Sequence, residues 1–173
     1  DLDPVLPDAS LLMSCTLLWM GAHEKSADVM DRLLSIAPNN ADVLAFYGYI
    51  LTFAGRAEEA VVPLLRAQRL DPGRNVRIAH YLGIVYNVLG RCEDAVAELE
   101  PFLDDYPTYL PLQRTLIYSY WQVGDVKRAR QLVANVLKSD PGFSSEDMGR
   151  KLPFKDLALS DRIVETWKMA GFP

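Results

Sequence analysis

The apolar positions of the chain recur with the period of an α-helix over most of its length. Two such stripes are formed by Val43, Leu44, Tyr47, Ile50, Leu51 and Ala54, and by Leu82, Val85, Tyr86 and Leu89. The periodicity predicts an all-α protein with helices over residues 8–20, 24–37, 41–54, 57–70, 75–89, 92–105, 109–123 and 126–139.

Glycine, alanine and proline punctuate these stripes in a fixed order that repeats about every 34 residues. A glycine precedes a charged residue, an alanine follows five residues later, and a proline follows seventeen residues after the glycine. The three clear copies contain Gly55, Ala60 and Pro72, then Gly90, Ala95 and Pro107, then Gly124, Ala129 and Pro141. A weaker copy precedes them, with Gly21 and Pro38, and with Ser26 in the alanine position.

Each position in this order has a structural reason. Glycine ends a first helix because it tolerates a left-handed backbone. Alanine lies where the second helix meets the first, because a larger side chain would push the two apart. Proline ends the second helix and turns the chain into the next unit. The spacing therefore predicts tandem antiparallel helix pairs.

These positions resemble the tetratricopeptide repeat (TPR). The copy over residues 41–74 carries the signature at Tyr47, Gly48, Leu51, Gly55, Ala60, Leu64, Ala67 and Pro72. The copy over residues 76–109 is similar at Leu82, Gly83, Tyr86, Gly90, Ala95, Phe102 and Pro107. The copy over residues 110–143 is similar at Leu116, Tyr120, Gly124, Ala129 and Pro141, with Ile117 in place of a glycine. The resemblance implies a right-handed superhelix (an α-solenoid) of four units over residues 1–141, with a degenerate first unit at about 7–40.

The pattern changes after Pro141. Ser144 begins a short capped helix, and Pro153 interrupts the helical pattern. A final helix is expected from near Asp156 to Met169. The last unit of a tandem array exposes an apolar face unless another element covers it. We therefore interpret residues 142–173 as a short helix and a C-terminal capping helix. The alternative is that the final helix is a binding element that occupies the groove.

The tail carries a second resemblance. Residues 152–156 (LPFKD), then Asp161 and Arg162, and finally residues 167–173 (WKMAGFP) are similar to the C-terminal end of many bacterial class III adenylate/guanylate cyclases that carry TPRs. The resemblance implies the regulatory or interaction part of a larger bacterial signalling protein, and the missing initial Met fits an excised piece. The paired metal-binding carboxylates on strands that cyclase chemistry needs do not occur in these residues.

Composition narrows the classes of partner. The net charge of −5 argues against nucleic acid, which normally requires a basic surface. Cys15 and Cys92 are far apart and form no metal-spaced pair, which indicates core residues in a reducing compartment and favours a cytoplasmic protein. The longest apolar stretch, residues 10–22, is too short to span a bilayer, so we expect no membrane insertion.

Motifs for catalysis are missing from the sequence. There is no phosphate-binding glycine loop, no HExxH, no EF-hand loop and no nucleophile elbow. His23 is interpreted as a loop residue, and His80 as a structural or groove residue rather than a catalyst. We therefore expect no enzymatic activity, no cofactor and no metal in this chain.

The TPR resemblance implies that the first helix of each repeat lines a concave groove. The groove residues expected to bind a partner are Tyr49, Phe53, Arg77, His80, Asn87, Arg114, Tyr118, Trp121 and Gln122. Arginine can hold a carboxylate through paired hydrogen bonds, and tyrosine and tryptophan provide large rigid contact areas. The alternative is that these aromatic residues belong to the core. The carboxylate clamp of chaperone-tail-binding TPR domains is absent, because Leu11 and Cys15 occupy the matching positions.

The favoured function is therefore a protein–protein interaction or scaffold module that binds a peptide or helix in its concave groove. The alternative is structural self-association through the end repeats, which would make the protein a homo-oligomer. That alternative rests on the apolar first helix, with Leu11, Leu12, Leu17, Leu18 and Trp19.

Overall fold

The computed structural model describes residues 7–73 and 75–173, and every regular element in this part of the chain is a helix. The helices are α1 (Pro7–Trp19), α2 (His23–Ile36), α3 (Ala41–Phe53), α4 (Ala57–Leu70), α5 (Val76–Val88), α6 (Cys92–Leu99), α7 (Leu110–Gln122), α8 (Val126–Ser139), α9 (Ser145–Gly149) and α10 (Leu157–Ala170). The predicted all-α class is confirmed. Apart from α6, the bounds of the eight helices predicted in the repeats agree with the structure to within one residue.

Helix α6 is shorter than predicted. The periodicity predicts a helix to residue 105, but the α-helix ends at Leu99 and continues as a 3-10 turn over Glu100–Phe102. Pro101 has no amide hydrogen for the carbonyl four residues before it, and its ring crowds that carbonyl. The backbone therefore tightens at this point, and Leu103 donates to Glu100 at 3.2 Å.

The repeat glycines end their helices as predicted. The φ angle lies between +73° and +83° at Gly21, Gly55, Gly90 and Gly124. After each of them, an amide donates to the carbonyl five residues earlier, which closes the helix end. These bonds run from Ala22 to Leu17, Arg56 to Leu51, Arg91 to Tyr86 and Asp125 to Tyr120.

Two other glycines allow close contact within a helix pair. A Cβ atom at Gly48 on α3 would lie 2.5 Å from Leu64 Cγ on α4. At Gly83 on α5, a Cβ atom would lie 2.6 Å from Leu99 Cδ1 on α6. Both distances are far below van der Waals contact, so any larger residue would force the paired helices apart.

The described residues form two compact units. The first consists of residues up to Tyr81 together with Pro153–Asp156, and the second consists of Leu82–Leu152 and Leu157–Pro173. In the first unit, Ser26 in the alanine position is fully buried, and its hydroxyl donates to the Ser14 carbonyl at 2.8 Å. This bond, and the reciprocal bond from Ser14 to Ser26, satisfy a polar pair between α1 and α2.

In the second unit, α10 packs against α7, α8 and α9. Its Trp167 is buried with Phe143 and Phe172, and the rings of Phe143 and Phe172 have centroids 4.5 Å apart. The hydroxyl and the amide of Ser145 both donate to the Pro173 backbone oxygen, at 2.6 and 3.0 Å. Helix α10 therefore packs on both helices of the last repeat, in the region where the sequence predicts a C-terminal capping helix.

Candidate peptide-binding surfaces

A row of aromatic rings lies along α3 in the first unit. The Tyr49 ring packs on Phe53 with centroids 4.7 Å apart, and on Tyr81 of α5 with centroids 4.4 Å apart. Phe46 meets the Tyr81 ring edge-on at 5.9 Å. Tyr49 and Phe53 are two of the predicted groove residues, and the structure brings them together.

Four residues of the tail, Pro153–Asp156, pack on the end of this row; we call them the tail segment. The Phe154 ring stacks on Phe53 with centroids 4.3 Å apart. The two rings bury each other, since Phe53 is 3% exposed and Phe154 is 4% exposed. The Lys155 amide donates to the Phe53 carbonyl at 2.8 Å. That carbonyl is one of the unpaired acceptors at a helix C-terminus, which the tail segment satisfies.

Two side chains at the start of α2 complete the contact with the tail segment. His23 Nε2 lies 2.8 Å from the Pro153 carbonyl oxygen. A carbonyl only accepts, so the Nε2 nitrogen must carry the proton and donate. The Lys155 ammonium pairs with the Glu24 carboxylate, and this pairing lowers the pKa of Glu24. Both side chains of the ion pair are exposed, so its contribution to stability is small.

Arg77 and His80 lie on α5 in the first unit. The Arg77 guanidinium pairs with Asp42, and its Cζ atom lies 5.2 Å from the centre of the Phe46 ring. Its Nε is buried and has no hydrogen-bond partner among the residues that the structure describes. His80 is buried, with its ring 6.0 Å from the Tyr81 ring. A partner carboxylate at Arg77 would therefore compete with Asp42.

In the second unit, α10 lies along the predicted binding face of α7. Trp167 Nε1 donates to the Arg114 carbonyl at 3.0 Å, and Gln122 Nε2 donates to Thr166 Oγ1 at 3.2 Å. Tyr118 lies midway between Arg114 and Gln122 in sequence; it is buried and lies near Arg162 of α10. Positions 114, 118 and 122 form one stripe on a helix, because they are four residues apart.

The Arg114 guanidinium packs over the ring of Phe143. Its Cζ atom lies 5.3 Å from the centre of the Phe143 ring, within the range of a cation–π contact. Burial lowers the pKa of the Arg114 guanidinium, while Asp140 acts in the opposite direction. The guanidinium stays charged, because even a lowered arginine pKa lies far above neutrality.

Asn87 and Trp121 complete the predicted set. The Asn87 amide joins α5 to α7: its nitrogen donates to the Thr115 carbonyl at 3.2 Å, and its oxygen accepts from Ser119 Oγ at 2.9 Å. The Asn87 side chain therefore links two helices through its nitrogen and its oxygen. Trp121 is half-buried near the C-terminal end of α7.

His23, Glu24 and Phe154 form contacts that the sequence does not assign to a site. The sequence predicts His23 in a loop, which is wrong: it is the first residue of α2, because the helix begins directly after the turn at Gly21. Phe154 is predicted only as part of an interruption between helices. The sequence signal for this contact is the pair Phe154 and Lys155, which directly follows Pro153 and lies outside any predicted helix. A bulky aromatic in such a position requires a surface to cover it, but the sequence does not say which surface.

Metal-ligating clusters do not occur in the described part of the chain, which contains no group of three or more His, Cys, Asp or Glu side chains placed to hold an ion. None of the helices described has the length and apolar content needed to cross a membrane. Both cysteines are free thiols, and burial raises the pKa of each, which makes them poor nucleophiles.

Solved structures with this arrangement of helices are TPR proteins. TTC0263, a thermophilic TPR protein of Thermus thermophilus, is 23% identical and has a TM-score of 0.70, over 95% of this chain and 82% of that one. PilW, a widely conserved type IV pilus biogenesis factor, is 19% identical with a TM-score of 0.74, over 97% and 76%. MamA from Desulfovibrio magneticus RS-1 is 17% identical with a TM-score of 0.67, over 98% and 97%.

These similarities define the class: the chain has the fold of tetratricopeptide-repeat proteins. No protein-family description matches the sequence, and no curated protein is significantly similar to it. At this level of identity the shared property is the fold, and the function has to be argued from the surfaces described above.

Proposed function

We propose that this chain is a protein–protein interaction module that holds a peptide or helix of a partner on the first helices of its repeats. The main support is the contact between α7 and α10. Three residues expected to bind a partner lie along a helix of the chain itself: Arg114 through its backbone carbonyl, Gln122 through its side-chain amide, and Tyr118 close to Arg162. This face of α7 is therefore suited to holding a helix.

The predicted groove residues differ in the internal contacts that a partner would have to displace. Arg77 would exchange Asp42 for a partner carboxylate, and Tyr49 would provide apolar contact area beside it. Trp121 would provide a rigid aromatic contact in the second unit. Phe53 is covered by Phe154 of the tail segment, so a partner would reach it only after displacing that ring, and Tyr118 is buried, with Arg162 nearby.

We also propose that the chain is the C-terminal regulatory part of a larger bacterial signalling protein such as a nucleotide cyclase, acting in the cytoplasm. Support comes from the LPFKD and WKMAGFP segments of the tail and from the two free thiols, which suit a reducing compartment. The full-length open reading frame tests this. A catalytic domain with paired carboxylates upstream supports the proposal, and a frame without one contradicts it.

Site-specific photo-crosslinking tests the binding role. One variant carries the crosslinking residue at Trp121, and a control carries it at Asn135, an exposed position on α8. We expect an adduct with one defined protein from position 121 and none from position 135. The purified partner should then bind the wild-type chain and lose affinity for Trp121→Ala in calorimetry. Equal adducts from both positions, or unchanged affinity, would contradict the proposal.

Self-association is the second candidate, because α1 exposes large apolar side chains. Leu12 is 70% exposed and Trp19 is 54% exposed, and their spacing of seven residues places them on one side of the helix; Met20, just after the helix, is 75% exposed. The expected result is a concentration-dependent dimer in light scattering that is lost in Leu12→Glu. A monomer at all concentrations would remove this candidate.

A further inference from the structure

The end of α3 and the start of α2 form a small slot, consisting of His23, Glu24 and Phe53, in which the tail segment lies. The tail segment belongs to the first unit, although α9 and α10 on either side of it belong to the second. Its contacts depend on three properties that a short peptide from another protein can carry: an aromatic ring, the backbone groups next to it, and a positive charge.

The seat for the ring is present independently of the tail segment. Phe53 is supported from behind by Tyr49, whose ring lies between Phe53 and Tyr81. A packed row of rings is already ordered, so the protein loses little conformational entropy when a ligand ring docks on it. Phe154 adds one more ring to the end of this row.

The slot also fixes the direction of the backbone. His23 donates to the carbonyl of Pro153, before the aromatic residue, and the Phe53 carbonyl accepts from the amide of Lys155, after it. Proline suits the first position because its missing amide hydrogen needs no partner there. Glu24 then receives the Lys155 ammonium beyond the ring. The slot therefore contacts a proline, an aromatic residue and a lysine, in that sequence order.

We propose that this slot is a binding site for a partner segment with the order proline–aromatic–lysine, and that the tail segment is an internal ligand which the partner displaces. This inference rests on the proposed binding function and names the ligand for one of its surfaces. Phe154 is the buried side chain of the tail segment, whereas Lys155 and Asp156 are exposed. A non-helical segment of four residues with one buried side chain can open locally while the helices beneath it stay folded.

Because the tail segment occupies the slot, it lowers the apparent affinity of the slot for an added peptide. The test measures this competition. The probe is a fluorescein-labelled peptide with the sequence of residues 151–157, KLPFKDL, titrated with the full chain and followed by fluorescence anisotropy. We expect Phe154→Ala to bind the probe about tenfold or more tightly than the wild type, because its slot is vacant more of the time. A probe with alanine in place of its phenylalanine should bind neither protein.

A charge exchange tests the orientation of the bound peptide. In the Phe154→Ala background, Glu24→Lys should weaken binding of the probe and should favour a probe that carries glutamate in place of the lysine after the phenylalanine. Because Glu24 is exposed, this change leaves the fold intact. If circular dichroism shows that Phe154→Ala is unfolded, Phe154→Leu replaces it, since leucine keeps an apolar side chain but removes the ring that stacks on Phe53.

Unchanged probe affinity in folded Phe154→Ala or Phe154→Leu would overturn the proposal, and so would a charge exchange that has no effect on probe preference. The outcome is separable from that of the broader function. Loss of crosslinking at position 121, in the second unit, counts against the binding function as a whole. Failure of the probe with crosslinking retained counts against the slot alone.

Discussion

The tail is held differently in the two units. In the first unit, four non-helical residues present one buried ring to Phe53. In the second unit, a helix of 14 residues lies on α7, with Trp167 buried among Phe143 and Phe172. Both contacts cover residues that the TPR resemblance assigns to the groove. The difference indicates that one contact is part of the folded core, whereas the other is suited to opening and closing.

The largest effect is expected from Trp167→Ala in the second unit. The substitution removes a buried ring and the hydrogen bond to the Arg114 carbonyl, which should lower the free energy of unfolding by about 3–5 kcal/mol. Urea denaturation followed by circular dichroism measures this loss. Glu165→Ala, at an exposed position of the same helix, is the control and should change stability little. Similar stabilities for both variants would show that α10 is not part of the core.

A smaller effect is expected from Phe154→Ala in the first unit. The loss cannot exceed the free energy with which the tail segment docks, because the segment can simply detach, and we expect about 1–3 kcal/mol. The same urea experiment measures it, and Leu157→Ala, next to the tail segment and exposed, is the control. A loss as large as that of Trp167→Ala would mean that the tail segment is as integral to the fold as α10.

Low pH is expected to weaken the two contacts of the tail to different extents. Lys155 lowers the pKa of Glu24 below its usual value of 4.5, and Lys168 does the same for Glu146 in the second unit. A carboxyl with a lowered pKa stabilises the folded state above its unfolded pKa, and this contribution disappears as pH falls through the folded pKa. Below pH 4.5, amide protection at Lys155 should therefore fall, while protection within α10 should persist because Trp167 remains buried. Parallel losses at both places would contradict this distinction.

The smallest effect is expected from reversing one charge of the exposed pair. Lys155→Glu should reduce protection of the residue-155 amide without a measurable change in global stability, because exposed ion pairs contribute little. The double variant Glu24→Lys with Lys155→Glu should restore the protection. If the single reversal has no effect on this amide, the ion pair does not help to hold the tail segment.

The helix pairs could be predicted from sequence because their signals are local. Gly55 marks a left-handed helix end, and Ala60 lies at zero exposure where the two helices meet. Pro101 shows the limit of periodicity, because the apolar pattern continues where the backbone cannot remain α-helical. The ligand-like position of Phe154 could not be predicted, since which surface covers an aromatic residue in a loop depends on contacts far away in sequence.

The candidate site was predictable only in part, for the same reason. The TPR resemblance selects Arg114, Tyr118 and Gln122, and because these residues are four apart, helical geometry alone puts them on one side of α7. That α10 would lie on this side depends on tertiary packing. Likewise, Asp42 and Arg77 were both expected on first helices, but their ion pair follows from the way α3 and α5 meet in the first unit.

Hydrogen exchange at single amides, measured by NMR on the full chain, tests the central claim that a binding face holds the tail in a removable way. The account predicts that the Lys155 amide is protected, but that it exchanges through local opening at urea concentrations too low to affect the amides of α10. An unprotected Lys155 amide would show that the tail segment does not occupy the slot. Exchange of Lys155 only together with α10, at the cost of global unfolding, would show that the segment cannot be displaced.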